Sequence, residues 1–355
     1  MNNVMYYVTG HTGNGFVNYV SSNVENLDHV FVLKHPSLRV KSDIIRRIVT
    51  HFESDNDVEI LCSSFGSSYL DGCIVREKSF AVLDEITADE LKDVHVVQIA
   101  SAENEQVAAS LDEQIRIQLN AVYDHFSSGL KVHDRLEDIF IQQMDFEKAD
   151  QVAEDFIQQN IQGIQRKEAA SVIYHRLFGT NTPDGSVNVI RPLIDELQKS
   201  YFIKGRAGTG KSTLMKKIMA ACQNLGLNIE LYHCSFDPES VDMVLVRELG
   251  FCIFDSTDPH EINPQRSNEE IIDMYAATVQ SGTDEKFREK IHEVNATYKS
   301  FMKQGLAEMK TVGKLLAEKT NYLQYQPQNA SALPQTLSKG SKIVRRKKGC
   351  CSKLS

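Results

Sequence analysis

Residues 201–222 read YFIKGRAGTGKSTLMKKIMAAC, and GRAGTGKS (205–212) within them is a complete G-x-x-x-x-G-K-[ST] loop. An apolar, β-rich run precedes it and an amphipathic run of helix formers follows, the strand–loop–helix setting this loop requires. The spacing has a chemical reason. Glycines let the main chain wrap closely, so that N–H groups of Gly205, Arg206, Ala207, Gly208, Thr209 and Gly210 converge on a phosphate. The helix start at Lys211, Ser212 and Thr213 adds its amides and dipole. Lys211 is placed to reach the β- and γ-phosphates, and the Ser212 hydroxyl to ligate Mg²⁺.

The acidic partner on the metal side should end a neighbouring apolar strand, and FCIFD (251–255) supplies Asp255 in that setting. Lys211 and Asp255 are the expected catalytic residues, Ser212 and Asp255 the expected metal ligands. Asp237, Asp242, Arg247 and Glu248 lie between the two motifs and are further candidates, one of the carboxylates to position water or accept a proton. Arg247 and Glu248 read equally well as a solvated ion pair.

The chain also repeats itself. A shift of 170 residues lays HTGNGFVNYV (11–20) on NTPDGSVNVI (181–190), and FVLKHPSLRVKSDIIRRI (31–48) on YFIKGRAGTGKSTLMKKI (201–218). With one inserted residue, SFGSSYLDGCIVREKSFAVLD (64–84) falls on SFDPESVDMVLVRELGFCIFD (235–255) with eight identities. One residue further on, DEQIR (112–116) meets DEKFR (284–288). The spacing predicts two α/β halves with the same rhythm: strands at 30–33 and 201–203, basic helices at 42–51 and 212–224, second strands at 58–62 and 228–233, and acidic strand ends at 80–84 and 251–255. Short strands alternating with helices point to a parallel sheet in each.

Each sheet is followed by a helical stripe. Ile115, Leu119, Val122, Phe126, Leu130 and His133 recur at helical steps, continued by Val152, Phe156 and Ile161; Phe287, Ile291, Val294, Tyr298 and Met302 do the same in the second half. Core packing between helices is the expected role. The predicted domains are 1–172 (helical from about 103), 173–325 (helical from about 266) and a disordered basic tail, 326–355.

The first half has lost the loop. In HPSLRVKS (35–42), aligned with GRAGTGKS, Lys41 and Ser42 survive while every glycine is replaced, by His35, Leu38 and Val40, and Pro36 removes a donor. FAVLDE (80–85) keeps an acidic strand end. One nucleotide per chain is therefore expected, in the second half.

Composition bounds the rest. Of 355 residues, 41% are hydrophobic and 25% charged, enough for packed cores, and no apolar run approaches the ~20 residues that span a bilayer. The start, MNNVMYYVTG, lacks the pattern of a secretory signal. Seven cysteines without CxxC spacing point to a reducing cytoplasm rather than a disulfide framework or structural zinc. Residues 339–355 carry seven positive charges; taking those off the net −9 leaves −16 for residues 1–338, a poor body for polynucleotides. The tail's RRKKGCC (345–351) suggests a weak, salt-sensitive membrane or polyanion contact.

Taken together, the tandem halves, the segment 201–218, HCSFDPESVDM (233–243) and FDSTDPHEINP (254–264) resemble a poorly characterised family of bacterial tandem P-loop ATPase-like proteins, over nearly the whole chain apart from the tail. The resemblance implies two tandem P-loop NTPase-like three-layer domains and nucleoside-triphosphate binding, with no settled substrate. In that family the N-terminal half often also carries a phosphate loop, and this sequence departs from that. In a bacterial setting S-acylation of the tail cysteines is not expected.

No Asn-Lys-x-Asp or LSGGQ-like motif is present, which argues against Ras-like GTPases and transporter ATPases, and the histidines show no metal spacing. His260 reads as a structural or surface histidine. The expectation is Mg²⁺-dependent binding and hydrolysis of a nucleoside triphosphate, with ATP first in line and a further small-molecule or protein partner unidentified. A P-loop kinase passing the γ-phosphoryl group to a small acceptor and a nucleotide-gated interaction module with little turnover are the alternatives.

Overall fold

The computed structural model describes residues 3–100, 105–258 and 260–323; the basic tail lies outside them. The first half contains β1 (Val4–Tyr7), β2 (Thr9–Thr12), β3 (Gly15–Asn18), α1 (Val20–Val24), β4 (His29–Lys34), α2 (Leu38–Phe52), β5 (Glu59–Cys62), β6 (Leu70–Val75), β7 (Phe80–Asp84), β8 (His95–Gln98), α3 (Glu105–Ile141) and α4 (Phe146–Asn160). The second contains β9 (Ile173–Arg176), β10 (Gly179–Thr182), β11 (Gly185–Asn188), α5 (Ile190–Ile194), β12 (Lys199–Lys204), α6 (Lys211–Asn224), β13 (Ile229–His233), β14 (Val241–Val246), β15 (Phe251–Asp255), β16 (Glu269–Asp273), α7 (Met274–Thr278), α8 (Thr283–Lys286) and α9 (Arg288–Tyr322).

The duplication is visible in the topology. One six-stranded sheet runs β1-β5-β6-β7-β4-β8 and the other β9-β13-β14-β15-β12-β16, the same order in repeat coordinates. Both are mixed rather than parallel, because β6 and β14 run against both neighbours. The reason is chain length. Only residues 76–79 join β6 to β7, and a parallel crossover needs a dozen or more. The reversal is closed by a left-handed residue, Gly250 in the second half and Ser79 at the same position in the first.

Two further departures concern the helical segments. The stretch expected to be helical from about 266 begins with the edge strand β16 and two short helices, and α9 starts only at Arg288. Helix α4 comes from the first half of the sequence, yet its Ala153 and Phe156 pack with Leu214, Met215 and Ile218 of α6 over the second sheet. The outer face of the first sheet is covered by α2 through Ile44, Ile45 and Ile48. The inner faces of both sheets share one cluster, with Tyr6, Leu61 and Leu83 from one side and Phe202, Tyr232 and Phe254 from the other.

A pseudo-two-fold axis relates the halves. Tyr7 and Leu177, equivalent at a shift of 170, exchange main-chain hydrogen bonds of 2.9 and 2.8 Å where β1 meets β9. Beside them the Arg176 guanidinium lies 3.8 Å over the Tyr6 ring, again its own equivalent. Arg176 also contacts both Glu59 and Glu230 at 2.9 Å, and these carboxylates pair in turn with Arg76 and Arg247. Helices α3 and α9 cross the same axis antiparallel. Asp112 meets Lys319, Phe126 lies against Gly305 and Gly129 against Phe301. The two helical stripes thus pack on each other.

Candidate functional site

Strand β12 ends at Lys204, six residues form a loop, and α6 begins at Lys211. Gly208 and Gly210 have φ of +74° and +82°, a region where a side chain is strained. Space imposes the same choice, since a Cβ on Gly208 would lie 2.5 Å from the Glu137 carbonyl oxygen, and one on Gly205 2.6 Å from the Thr209 hydroxyl. Thr209 Oγ1 donates to the Arg206 carbonyl at 2.7 Å and fixes the turn. Lys211 folds back over the loop; its Nζ donates to the carbonyls of Gly205 (2.9 Å) and Arg206 (2.8 Å) and stands 3.5 Å from Asp255 Oδ2. Arg206 turns outward to Asp284 at 2.7 Å, Thr213 is exposed, and Ala207 packs against Leu136 and Phe140 of α3.

Strand β15 delivers Asp255 because β12 and β15 are parallel neighbours, with Ile203 opposite Asp255 in register. Asp255 Oδ1 accepts from Thr257 N and Oγ1, which leaves Oδ2 facing the lysine. Ser212 Oγ accepts from Val241 N at 2.9 Å, tying the helix start to β14. The next residue, Asp242, is buried, and burial followed by the Asp255 charge pushes its carboxyl up to about 8. Asp237 caps its own turn through Glu239 N.

Among the described residues no group of three or more His, Cys, Asp or Glu is arranged to hold a metal ion. Ser212 and Asp255 are nevertheless an oxygen-only donor pair, near a second carboxyl, Asp242, that burial first and the Asp255 charge second keep from ionising normally. That chemistry fits Mg²⁺, which usually takes one or two protein oxygens and completes its shell with water and substrate phosphates.

The other candidates fall elsewhere. Arg247 pairs with Glu230 and Glu248 with Lys167, so the two are not partners of each other and neither stands at the loop. His260 is buried edge-on against Phe178 at 5.1 Å, and burial lowers its pKa: a structural histidine. A groove of about 830 Å³ lies beside α6, lined in part by Tyr19, His175, Lys216, His233 and Glu239. Its Pro238, Glu239 and Val241 belong to the segment that is tied through Val241 to Ser212. His175 Nδ1 and His233 Nε2 meet there at 2.8 Å.

The equivalent place in the first half is filled. Helix α2 begins at Leu38, three residues before Lys41, so the residues matching Gly208–Gly210 are helix rather than loop. Lys41 is 1% exposed, with Nζ 2.8 Å from Asp84 and 3.1 Å from Glu85. His35 is buried there and its Nδ1 accepts from Ser37 N.

Sequence reasoning missed the roof. Helix α3, from the first half, runs over the second half's loop and brings His133 and Glu137 to it. The available signal was polar residues interrupting a buried apolar stripe.

No helix among the described residues is long and apolar enough to cross a membrane. Comparison of the chain with protein-family models, with curated proteins and with solved structures finds no match.

Proposed function

We propose that residues 205–213 bind the phosphates of a nucleoside triphosphate, ATP in the first instance, and that the second half hydrolyses it with Mg²⁺. On this reading the two halves are P-loop NTPase-like layers of which one is live. The observation that carries it is the contrast between repeat-equivalent lysines. Lys211 is turned onto main-chain carbonyls above a glycine loop, whereas Lys41 is locked in a buried ion pair. A triphosphate offers Lys211 a better partner than two carbonyls, and the loop amides of residues 205–210 and the α6 N-terminus supply the remaining donors.

Ser212 and Asp255 would hold Mg²⁺, which neutralises charge on the β- and γ-phosphates when bound. Asp255 keeps one oxygen toward Lys211 while Thr257 fixes the other, so the carboxylate is oriented before ligand arrives. The acidic body disfavours nucleic acid as a partner.

Calorimetric titration with a non-hydrolysable ATP analogue and Mg²⁺ tests the reading. One analogue is expected per chain; Lys211→Ala is expected to abolish binding and Lys41→Ala to leave the stoichiometry unchanged. Two equivalent sites, or binding undiminished by Lys211→Ala, would sink it. Phosphate release to water, transfer to an added acceptor, or binding without turnover separates ATPase, kinase and gated module.

A further inference from the structure

At a shift of 172 the stripes of α3 and α9 align position by position: Val122 with Val294, Phe126 with Tyr298, Leu130 with Met302 and Phe140 with Val312. The alignment is also spatial. His133 lies 5.3 Å from the Tyr298 ring, and its equivalent Gly305 lies against Phe126, the equivalent of Tyr298. Along that alignment His133 and Glu137 are polar where α9 is not. His133 stands where α9 has Gly305, and Glu137 where α9 has Met309.

The turn of α3 that carries them lies on the live loop. The Glu137 main chain sits on Gly208, with room for no side chain between them, and Met144 lies against Gly210. His133 Nδ1 is 3.6 Å from Glu137 Oε1, and its ring packs edge-on to Phe236, next to Asp237. Over the dead loop the counterparts are apolar. Leu38, which replaces Gly208, shares a cluster with Met309 and Leu316. Where the loop has its glycines the covering helix carries an imidazole and a carboxylate, and where it has lost them the same two positions of α9 are Gly305 and Met309.

We propose that the phosphate site is composite: α3 of the first half supplies Glu137, positioned by His133, as the carboxylate that takes the proton of the water attacking the γ-phosphoryl group on the second half's loop. The proposal rests on the nucleotide reading above. In the step, the water oxygen forms a bond to the γ-phosphorus as the bond to the β–γ bridging oxygen breaks. The electron pair leaves on the diphosphate, and the water proton passes to Glu137 and on to solvent. The surroundings suit a base. Burial first, then the neighbouring charges of Asp134 and Asp237, hold the Glu137 carboxyl above the ordinary range, against the opposing pull of Lys211 and with Asp138 adding to the rise. Burial, with Lys211 nearby, keeps His133 neutral at neutral pH, against the opposing charges of Asp134, Asp237 and Asp255. This assigns the degenerate half a task that its own lost loop does not exclude.

The test compares the full-length chain with Glu137→Gln, Glu137→Asp and His133→Asn in Mg-ATP turnover across pH and in binding of the non-hydrolysable analogue, with melting curves to establish folding. Glu137→Gln is expected to lower kcat by about 10²–10⁴-fold and remove the acidic limb of the kcat profile, with analogue affinity unchanged. Glu137→Asp, which keeps a carboxylate, is expected to recover part of kcat together with the limb. His133→Asn is expected to move the limb to higher pH, because a neutral imidazole N–H no longer faces the carboxylate. Full turnover by Glu137→Gln with the limb intact, or loss of analogue binding in place of turnover, overturns the proposal while leaving the loop's assignment standing. Wild type that fails to bind the analogue overturns both.

Discussion

Lys41 and Lys211 occupy the same position of the repeat, each facing a strand-end aspartate, and they live in different chemical worlds. Lys41 touches Asp84 at 2.8 Å with both groups almost fully buried. Lys211 stands 3.5 Å from Asp255 with both side chains partly open, and it makes its closer contacts to carbonyls. The difference begins three residues upstream. Leu38, Arg39 and Val40 are good enough helix residues to extend α2 by a turn, whereas Gly208, Thr209 and Gly210 hold the chain out as a loop. Once the turn is helical the lysine is held by the carboxylates at its own strand end, Asp84 and Glu85. The same residue at the same repeat position thus has a buried ion pair in one half and main-chain carbonyl partners in the other.

That comparison breaks most directly at the lysines. Lys41→Met leaves Asp84 buried without its cation, which is expected to cost about 3–5 kcal/mol. At roughly 2–4 °C per kcal/mol for a chain of this class, the melting temperature should fall by about 10 °C. Lys211→Met should cost much less, because the Asp255 side chain is 19% exposed and can recruit water. Thermal denaturation of the two variants without nucleotide decides it. Equal losses would mean that the two ion pairs are structurally equivalent.

The next test concerns what joins the halves. Arg176 is buried at the pseudo-two-fold axis between Glu59 and Glu230, and its repeat equivalent is Tyr6, so one half supplies the cation for both. Arg176→Met is expected to destabilise the protein by about 3 kcal/mol, less than the upper range for a broken buried pair because Arg76 and Arg247 still hold one carboxylate each. Chemical denaturation should then show the transition broadening or splitting, as coupling between the inner faces weakens. A small change with a single sharp transition would place the coupling in the shared apolar cluster and the α3–α9 pair instead.

Much of this was legible in the sequence, for identifiable reasons. The glycine loop and the collinear repeat are local patterns, and the structure gives both halves the same strand order. The apolar runs 30–33 and 201–203 lie in β4 and β12, and FCIFD is β15. Strand direction was not legible, because alternation of strand and helix says nothing about the short links at 76–79 and 247–250. The edge strands β8 and β16 were missed because they are half exposed: Val96 and Ile271 are open to solvent, so no buried run announces them. The assignment of α4 to the second sheet and of α3 to the second loop is tertiary. Periodicity says that a face is buried and not what buries it. In the sequence His133 simply ends a stripe; only its neighbour across space, Tyr298, and the loop beneath bring it to the candidate site.

The smallest effect sharpens the comparison through pH. Asp71 is the first-half equivalent of Asp242, and burial pushes its carboxyl up to about 7, helped by the Asp84 charge and opposed by hydroxyl hydrogen bonds from Ser63 and Thr9 and by the Lys41 charge. A carboxyl whose pKa is raised on folding contributes stability that is complete below its ordinary value near 3.8 and is lost as pH rises through about 7. Asp71→Asn keeps the shape and cannot ionise, so the variant should gain on wild type progressively between pH 5 and pH 7, by about 2 kcal/mol, and level off above. At pH 4 the two should melt within a degree or two, since folded Asp71 is then protonated and the unfolded carboxyl is only about half ionised. Melting curves at pH 4, 6 and 8 read the difference directly. A gap that stays constant with pH would mean that Asp71 is already ionised in the folded protein, held by Lys41 across the filled site; the first half would then have kept a working carboxylate beside its lysine, and the contrast with the second half would rest on the glycines alone.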